Sequence, residues 1–153
     1  MKASQDAEGN LVVELGKRER HLFLKILDLY PVVPVSYARL STDKDLKNLA
    51  ANQQLLEESL RDYQTENRKY LQDLFHRCGS MEESRTALSL KLPPPDFERL
   101  LQVLNDIRIG SWLALGAPEG KASVLDPQTA PHVWAMEIAG FFQVSLLSAI
   151  EKS

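Results

Sequence analysis

A chain of 153 residues is long enough for one domain with a real hydrophobic core and too short for two comfortable ones. Its 44% hydrophobic and 25% charged content is that of an ordinary soluble globular protein. With 18 basic against 21 acidic residues there is no cationic excess to attract nucleic acid, so no nucleic-acid partner is expected.

The single cysteine, Cys78, excludes an intrachain disulfide and fits a reducing compartment. The first ten residues lack the apolar core of a signal peptide, so a cytoplasmic location is expected. The longest apolar stretch, 133–150, carries Glu137, Gln143, Ser145 and Ser148. It reads as a buried helix and not as a membrane span, which wants about 20 mostly apolar residues. No membrane partner is expected.

In chain order, residues 1–9 are polar and read as a flexible N-terminus. The short β-branched run 11–15 predicts a brief strand. A helix is predicted over 17–30, with Leu22, Phe23, Ile26, Leu29 and Tyr30 on its apolar face, ended by Pro31 and Pro34. Ser41, Thr42 and Asp43 offer N-caps for a second, long helix reaching about residue 77. Its seam is Leu46, Leu49, Gln53, Leu56, Leu60, Tyr63, Asn67, Tyr70 and Leu74, an a/d spacing interrupted by two amides. Such a seam lies either across the protein's own core or in a dimer.

Gly79 is a natural helix stop, and residues 80–83 have capping-box spacing. Residues 88–92, Leu-Ser-Leu-Lys-Leu, alternate with period 2 and can pair with 11–15 in a two-stranded ribbon. The run Pro93-Pro-Pro95 suits the first turn of a helix that continues to Gly116. Residues 117–130 read as a surface loop. A last helix over about 131–151 is apolar nearly all round, so it is either central or covered by another subunit. The predicted fold is all-α: a bundle of four to five helices with one long helix and a short β-ribbon, forming a single helical domain over 10–153.

No catalytic constellation is visible, and no catalytic residue, metal site or cofactor is expected. The Gly116-Ala-Pro-Glu-Gly-Lys-Ala-Ser123 segment misses a phosphate-binding loop in spacing and in context, since it follows a helix and not a strand. His21, His76 and His132 stand on different elements, and His76-Arg-Cys78 lacks the paired spacing of a zinc site.

One residue breaks the pattern. At about 100° per residue, Arg108 falls within the arc of Phe97, Leu101, Leu104, Trp112 and Leu115. A guanidinium there needs a partner or a route to water. Glu19, set among Leu22, Phe23 and Ile26, is the acid most misplaced by pattern, and Glu137 is second. A Glu19–Arg108 ion pair joining the first and fourth helices is therefore predicted, with Asn105 at the margin and Asp106 turned away to solvent. Two readings stay open: an internal helix clamp, or a site for a small anionic ligand with Arg108 and Asn105 as donors. On the last helix, Val133, Met136, Val144 and Leu147 lie off the main apolar face and mark the expected interface with a partner or a second copy.

The segment Phe97-x-x-Leu-Leu-x-x-Leu-Asn-Asp-Ile-Arg108, followed by Leu113-Ala-Leu-Gly116, resembles the Leu-Asn-Asp-[Leu/Ile]-Arg helix of an uncharacterised bacterial family, domain of unknown function number twenty-seventeen. The resemblance extends over residues 11–30 and 85–151. It implies a small, cytoplasmic, helical protein without an assigned activity. In many actinobacteria genes of that family lie near that of the Clp-protease adaptor that recognises N-terminal degradation signals, which implies a connection with regulated proteolysis. Together these readings lead us to expect a non-enzymatic protein acting through protein–protein contact or self-association. The alternative is a binder of, or an enzyme acting on, a small anionic compound at Arg108.

Overall fold

The computed structural model describes residues 1–32, 46–78, 87–116 and 126–151. The predicted N-caps at Ser41, Thr42 and Asp43, the Gly79 stop, the capping box at 80–83 and most of the 117–130 loop lie outside the described residues. So do the side chains of Leu46, Leu49 and Cys78. The chain forms strands β1 (Lys2–Gln5) and β2 (Leu11–Leu15), helices α1 (Lys17–Leu27) and α2 (Leu46–Cys78), strand β3 (Leu88–Leu92), and helices α3 (Pro94–Ala114) and α4 (Ala130–Glu151). The fold is mostly helical, as expected, but it also contains a three-stranded antiparallel sheet of order β1-β2-β3.

The predicted ribbon forms, with Leu11 opposite Leu92, Val13 opposite Leu90 and Leu15 opposite Leu88. Each is an apolar cross-strand pair. These positions turn one face of the sheet to the helices, while Glu14, Ser89 and Lys91 face water. The third strand corrects the expectation of a loose N-terminus: residues 2–5 pair with β2, from Lys2–Glu14 to Gln5–Leu11. Its Lys-Ala-Ser-Gln sequence has no apolar alternation because β1 is an edge strand with mostly exposed side chains.

A tight turn closes the β1–β2 hairpin. Asp6 accepts the backbone N–H groups of Glu8 (3.0 Å) and Asn10 (2.9 Å), and Gly9 adopts φ +86°, a left-handed conformation suited to glycine. Lys91 of β3 reaches the same carboxylate at 3.0 Å. Hydrogen bonds from Asn10 and Lys91 hold the Asp6 carboxyl down at about 2.

α3 and α4 are antiparallel neighbours and form the main helical layer. Arg108 lies over Gly140, Asn105 meets Gln143, and Leu101 and Leu147 line one groove. α1 packs on both helices and on β2. The core collects Phe23, Leu24, Ile26 and Leu27 from α1, Leu100, Leu104 and Ile107 from α3, and Ala139, Phe142 and Leu146 from α4. Phe23 and Phe142 meet edge to face with ring centroids 5.2 Å apart. α4 is long and apolar enough to cross a membrane by length and composition, yet here Val133, Ala135, Ala139, Phe142, Leu146 and Ala149 are buried within the protein.

α2 runs unbroken for 33 residues, about 50 Å at 1.5 Å per residue. Among the described residues most of the predicted a/d seam turns inward, with Tyr63 exposed. Asn67, Leu71 and Leu74 are buried near its C-terminal end, and Gln53, Leu56 and Leu60 are half-buried further along. The seam therefore serves the protein's own core over its C-terminal half. Tyr70 donates its hydroxyl to the Asp96 carbonyl (2.9 Å), and Arg77 stands 3.8 Å from the Asp96 carboxylate, tying that half to the start of α3.

Candidate functional site

The predicted Glu19–Arg108 pair does not form. Glu19 is the N3 residue of α1 and accepts the Gly16 backbone N–H at 3.2 Å, closing the helix start. Its other oxygen meets the Met1 α-amino group, which holds the carboxyl below its ordinary range. Arg108 is exposed and donates from Nη2 to Asn105 Oδ1 at 2.9 Å. Glu137 is exposed and makes no ion pair among the described residues.

The buried arginine of the described chain is Arg20, only 6% exposed, one position after Glu19. The buried residues of α1 are Arg20, Phe23, Leu24, Ile26 and Leu27, and those of α3 are Phe97, Leu100, Val103, Leu104, Ile107, Gly110 and Ser111. Phe23, Ile26, Phe97 and Leu104 belong to the arcs drawn from the sequence as well, but the centre of each face lies nearly one residue's step away. On either helix that is a rotation of about 100°, enough to carry Glu19 and Arg108 out of the core.

Arg108 instead lies on the outer seam between α3 and α4. Leu101 is level with Leu147, Asn105 with Gln143 (3.5 Å between the amides) and Arg108 with Gly140. The same antiparallel register brings Trp112 level with Met136. Arg108→Met is therefore expected to change stability by no more than about 0.5 kcal/mol, as for a surface position. Urea midpoints of the two proteins check this; a loss of several kcal/mol would restore the buried-clamp reading.

The expected interface residues divide. Val133 is buried and is not available for contact, and Met136 is half-buried. Val144 and Leu147 are exposed, at 63% and 41%, and Phe141 joins them at 51%. At i, i+3 and i+6 these three share one side of α4. Sequence periodicity groups Phe141 with Phe142 on the main apolar face; the structure corrects this, since adjacent helical residues are about 100° apart and only Phe142 is buried.

A second cluster joins the segment after α1 to α2 and α3. Asn67, 1% exposed, donates from Nδ2 to the Tyr30 hydroxyl (2.9 Å) and accepts from Arg99 Nη1 at Oδ1 (3.3 Å). One turn earlier on α2, Tyr63 donates its hydroxyl to Asp106 Oδ2 at 2.9 Å. Asp106 was expected to face solvent beside Arg99. It is half-buried instead, on the wall of a recess of about 130 Å³ also bounded by Tyr30, Pro31, Leu60, Tyr63 and Ile109. Arg108 lines neither this recess nor those along β1 and α4.

Burial raises the Asp106 carboxyl above its ordinary range, and the Tyr63 hydrogen bond only partly opposes this. Burial and the neighbouring carboxylate push the Tyr63 hydroxyl up to about 12. Burial likewise raises Tyr30, against the hydrogen bond from Asn67. The sign for Asp106 follows from linkage. The folded state disfavours its ionised form, so the penalty is absent below the ordinary value of 3.8 and grows as pH rises through the raised folded value. Asp106→Asn should thus stabilise the fold at pH 7 by on the order of 0.5 kcal/mol, discounted for partial exposure. Chemical denaturation at pH 7 and pH 3 checks this; the gain should vanish at pH 3.

Among the described residues no three His, Cys, Asp or Glu side chains are grouped to hold a metal ion. No protein-family model, no curated protein and no solved structure matches this chain.

Proposed function

We propose that this chain is a non-enzymatic cytoplasmic protein that acts through protein–protein contact, including contact with a second copy of itself. The observation that carries this reading is the side of α4 bearing Phe141, Val144 and Leu147, which are 51%, 63% and 41% exposed. Single exposed apolar side chains are normal on a monomer; a run of large ones along one helix marks a contact surface. Trp112, 38% exposed, extends the apolar surface onto α3, and Arg108 and Asn105 supply polar groups beside it. Aromatic residues and arginine are the side chains that most often dominate binding energy at such surfaces.

The resemblance of residues 97–108 to the Leu-Asn-Asp-Arg helix supports membership of that bacterial family and a role beside regulated proteolysis. The test of contact is the mass in solution and affinity capture, each with wild type and the Val144→Asp, Leu147→Asp double variant. Wild type should exceed the 17.3 kDa of one chain or retain a partner, and the double variant should lose that association with its melting temperature kept within a few degrees. A strict monomer that captures nothing contradicts the proposal.

A further inference from the structure

The recess on the α2–α3 side of the molecule has walls of unlike character. Tyr30 and Tyr63 contribute aromatic rings, and Pro31, Leu60 and Ile109 contribute apolar surface. Asp106 brings the one carboxylate among the lining residues. Its Oδ2 accepts the Tyr63 hydroxyl, while its Oδ1 accepts no hydrogen bond from any described residue. No described lysine or arginine forms an ion pair with it. The neighbouring cation, Arg99, is turned to Asn67 and Glu66.

A half-buried carboxylate with no counter-ion among the described residues, beside two aromatic rings, has a definite complement. The carboxylate attracts a positive charge, the rings attract it through their negative faces, and the apolar walls favour a hydrocarbon stem. A divalent metal does not suit this donor set, because magnesium and calcium want several oxygen ligands and the recess offers one carboxylate. The volume of about 130 Å³ matches a small headgroup and a short chain, not a nucleotide or a sugar chain.

We propose that this recess binds an alkylammonium group, with Asp106 as counter-ion and Tyr30 and Tyr63 as its aromatic walls. The Tyr63 hydroxyl is a positioning group, since its hydrogen bond to Oδ2 leaves Oδ1 for the incoming cation. The same chemistry is offered by a free aliphatic amine and by a lysine side chain of another protein. This site is separate from the outer α3–α4 seam, so its failure leaves the contact surface on α4 untouched.

The test is calorimetric titration of the full chain at pH 7 with n-butylammonium chloride, 1-butanol and Nα-acetyl-lysine N-methylamide. For so small a ligand the butylammonium dissociation constant should be on the order of millimolar. Asp106→Asn should weaken it at least ~10-fold, the factor that about 1.4 kcal/mol represents. Tyr63→Phe should weaken it less, and 1-butanol should not bind. A lysine derivative that binds at least as well as butylammonium identifies a protein side chain as the source. A lysine derivative that is rejected while butylammonium binds identifies a free amine. The melting temperature of Asp106→Asn, expected at or above that of wild type, shows that any loss is not unfolding. Equal binding by wild type and Asp106→Asn, equal binding of 1-butanol, or no binding of butylammonium at 50 mM on the order of ten times the expected constant overturns the proposal.

Discussion

Phe142→Ala is expected to destabilise the protein by about 3–5 kcal/mol, the range for deleting a fully buried aromatic side chain. Phe142 is fully buried on α4, where that helix meets α3 and α1. Its ring lies edge to face with Phe23, and with Phe141 on its own helix. The substitution removes both ring contacts and leaves a cavity in the closely packed core. At about 2–4 °C per kcal/mol for a chain of this size, the melting temperature should fall by on the order of 10 °C. Phe141→Ala, one residue away and half exposed, should cost far less. Thermal denaturation followed by circular dichroism separates the two; equal losses would mean that the phase of α4 is misassigned.

Asn67→Ala should rank close behind, at about 2–3 kcal/mol. In a plain amphipathic helix an amide on the apolar seam would be replaceable. Here Asn67 is buried and holds the Tyr30 hydroxyl at 2.9 Å and Arg99 at 3.3 Å, so one side chain joins α2 to α3 and to the segment that follows α1. Truncation leaves the Tyr30 hydroxyl enclosed without its donor, and unsatisfied buried groups cost more than the bond itself contributed. Removing both partners with Asn67→Leu and Tyr30→Phe should recover part of the loss. Urea denaturation of the two single variants and the double variant gives the coupling. Additive losses would show that the amide and the hydroxyl do not act as a pair.

Asn67 also shows what the sequence could and could not disclose. Its place on the 3-4 seam of α2 is legible from spacing alone, and Asn67 and Leu74 of that seam are buried. Its role is not legible, because its partners lie 37 and 32 residues away in the chain. The β2–β3 pairing is legible for the opposite reason: strict alternation over 88–92 and β-branched residues at 12 and 13 mark strands whatever they pair with. β1 has no such mark. A polar edge strand is defined by its hydrogen bonds to β2 and by the turn at Asp6 and Gly9.

The misplacement of Arg108 has a specific physical origin. On α1 and α3 the apolar residues come in adjacent groups, Leu22-Phe23-Leu24 and Ile26-Leu27 on one, Leu100-Leu101 and Val103-Leu104 on the other. Adjacent residues are about 100° apart, so either member can be taken as the centre of the face. Choosing Leu22 and Leu101 points Glu19 and Arg108 inward; the fold instead centres on Phe23–Leu24 and Leu100–Leu104. The same shift buries Arg20 and turns Asp106 into the recess. One phase error on each helix thus created an ion pair that does not exist and hid the polar cluster that does. On α4 the expected interface residues divide: Val144 and Leu147 are exposed, while Val133, at nearly the same helical angle as Val144, is buried.

The central claim is that the α4 side bearing Phe141, Val144 and Leu147 is covered by another protein surface when the chain works. The most direct measurement is site-specific photo-crosslinking in cells, with a benzophenone amino acid at position 144 and, as a control, at the exposed Gln72 of α2. The account predicts a discrete crosslinked species from position 144, absent from position 72 and lost when Leu147→Asp is added. No crosslink from position 144, or the same species from both positions, would contradict it.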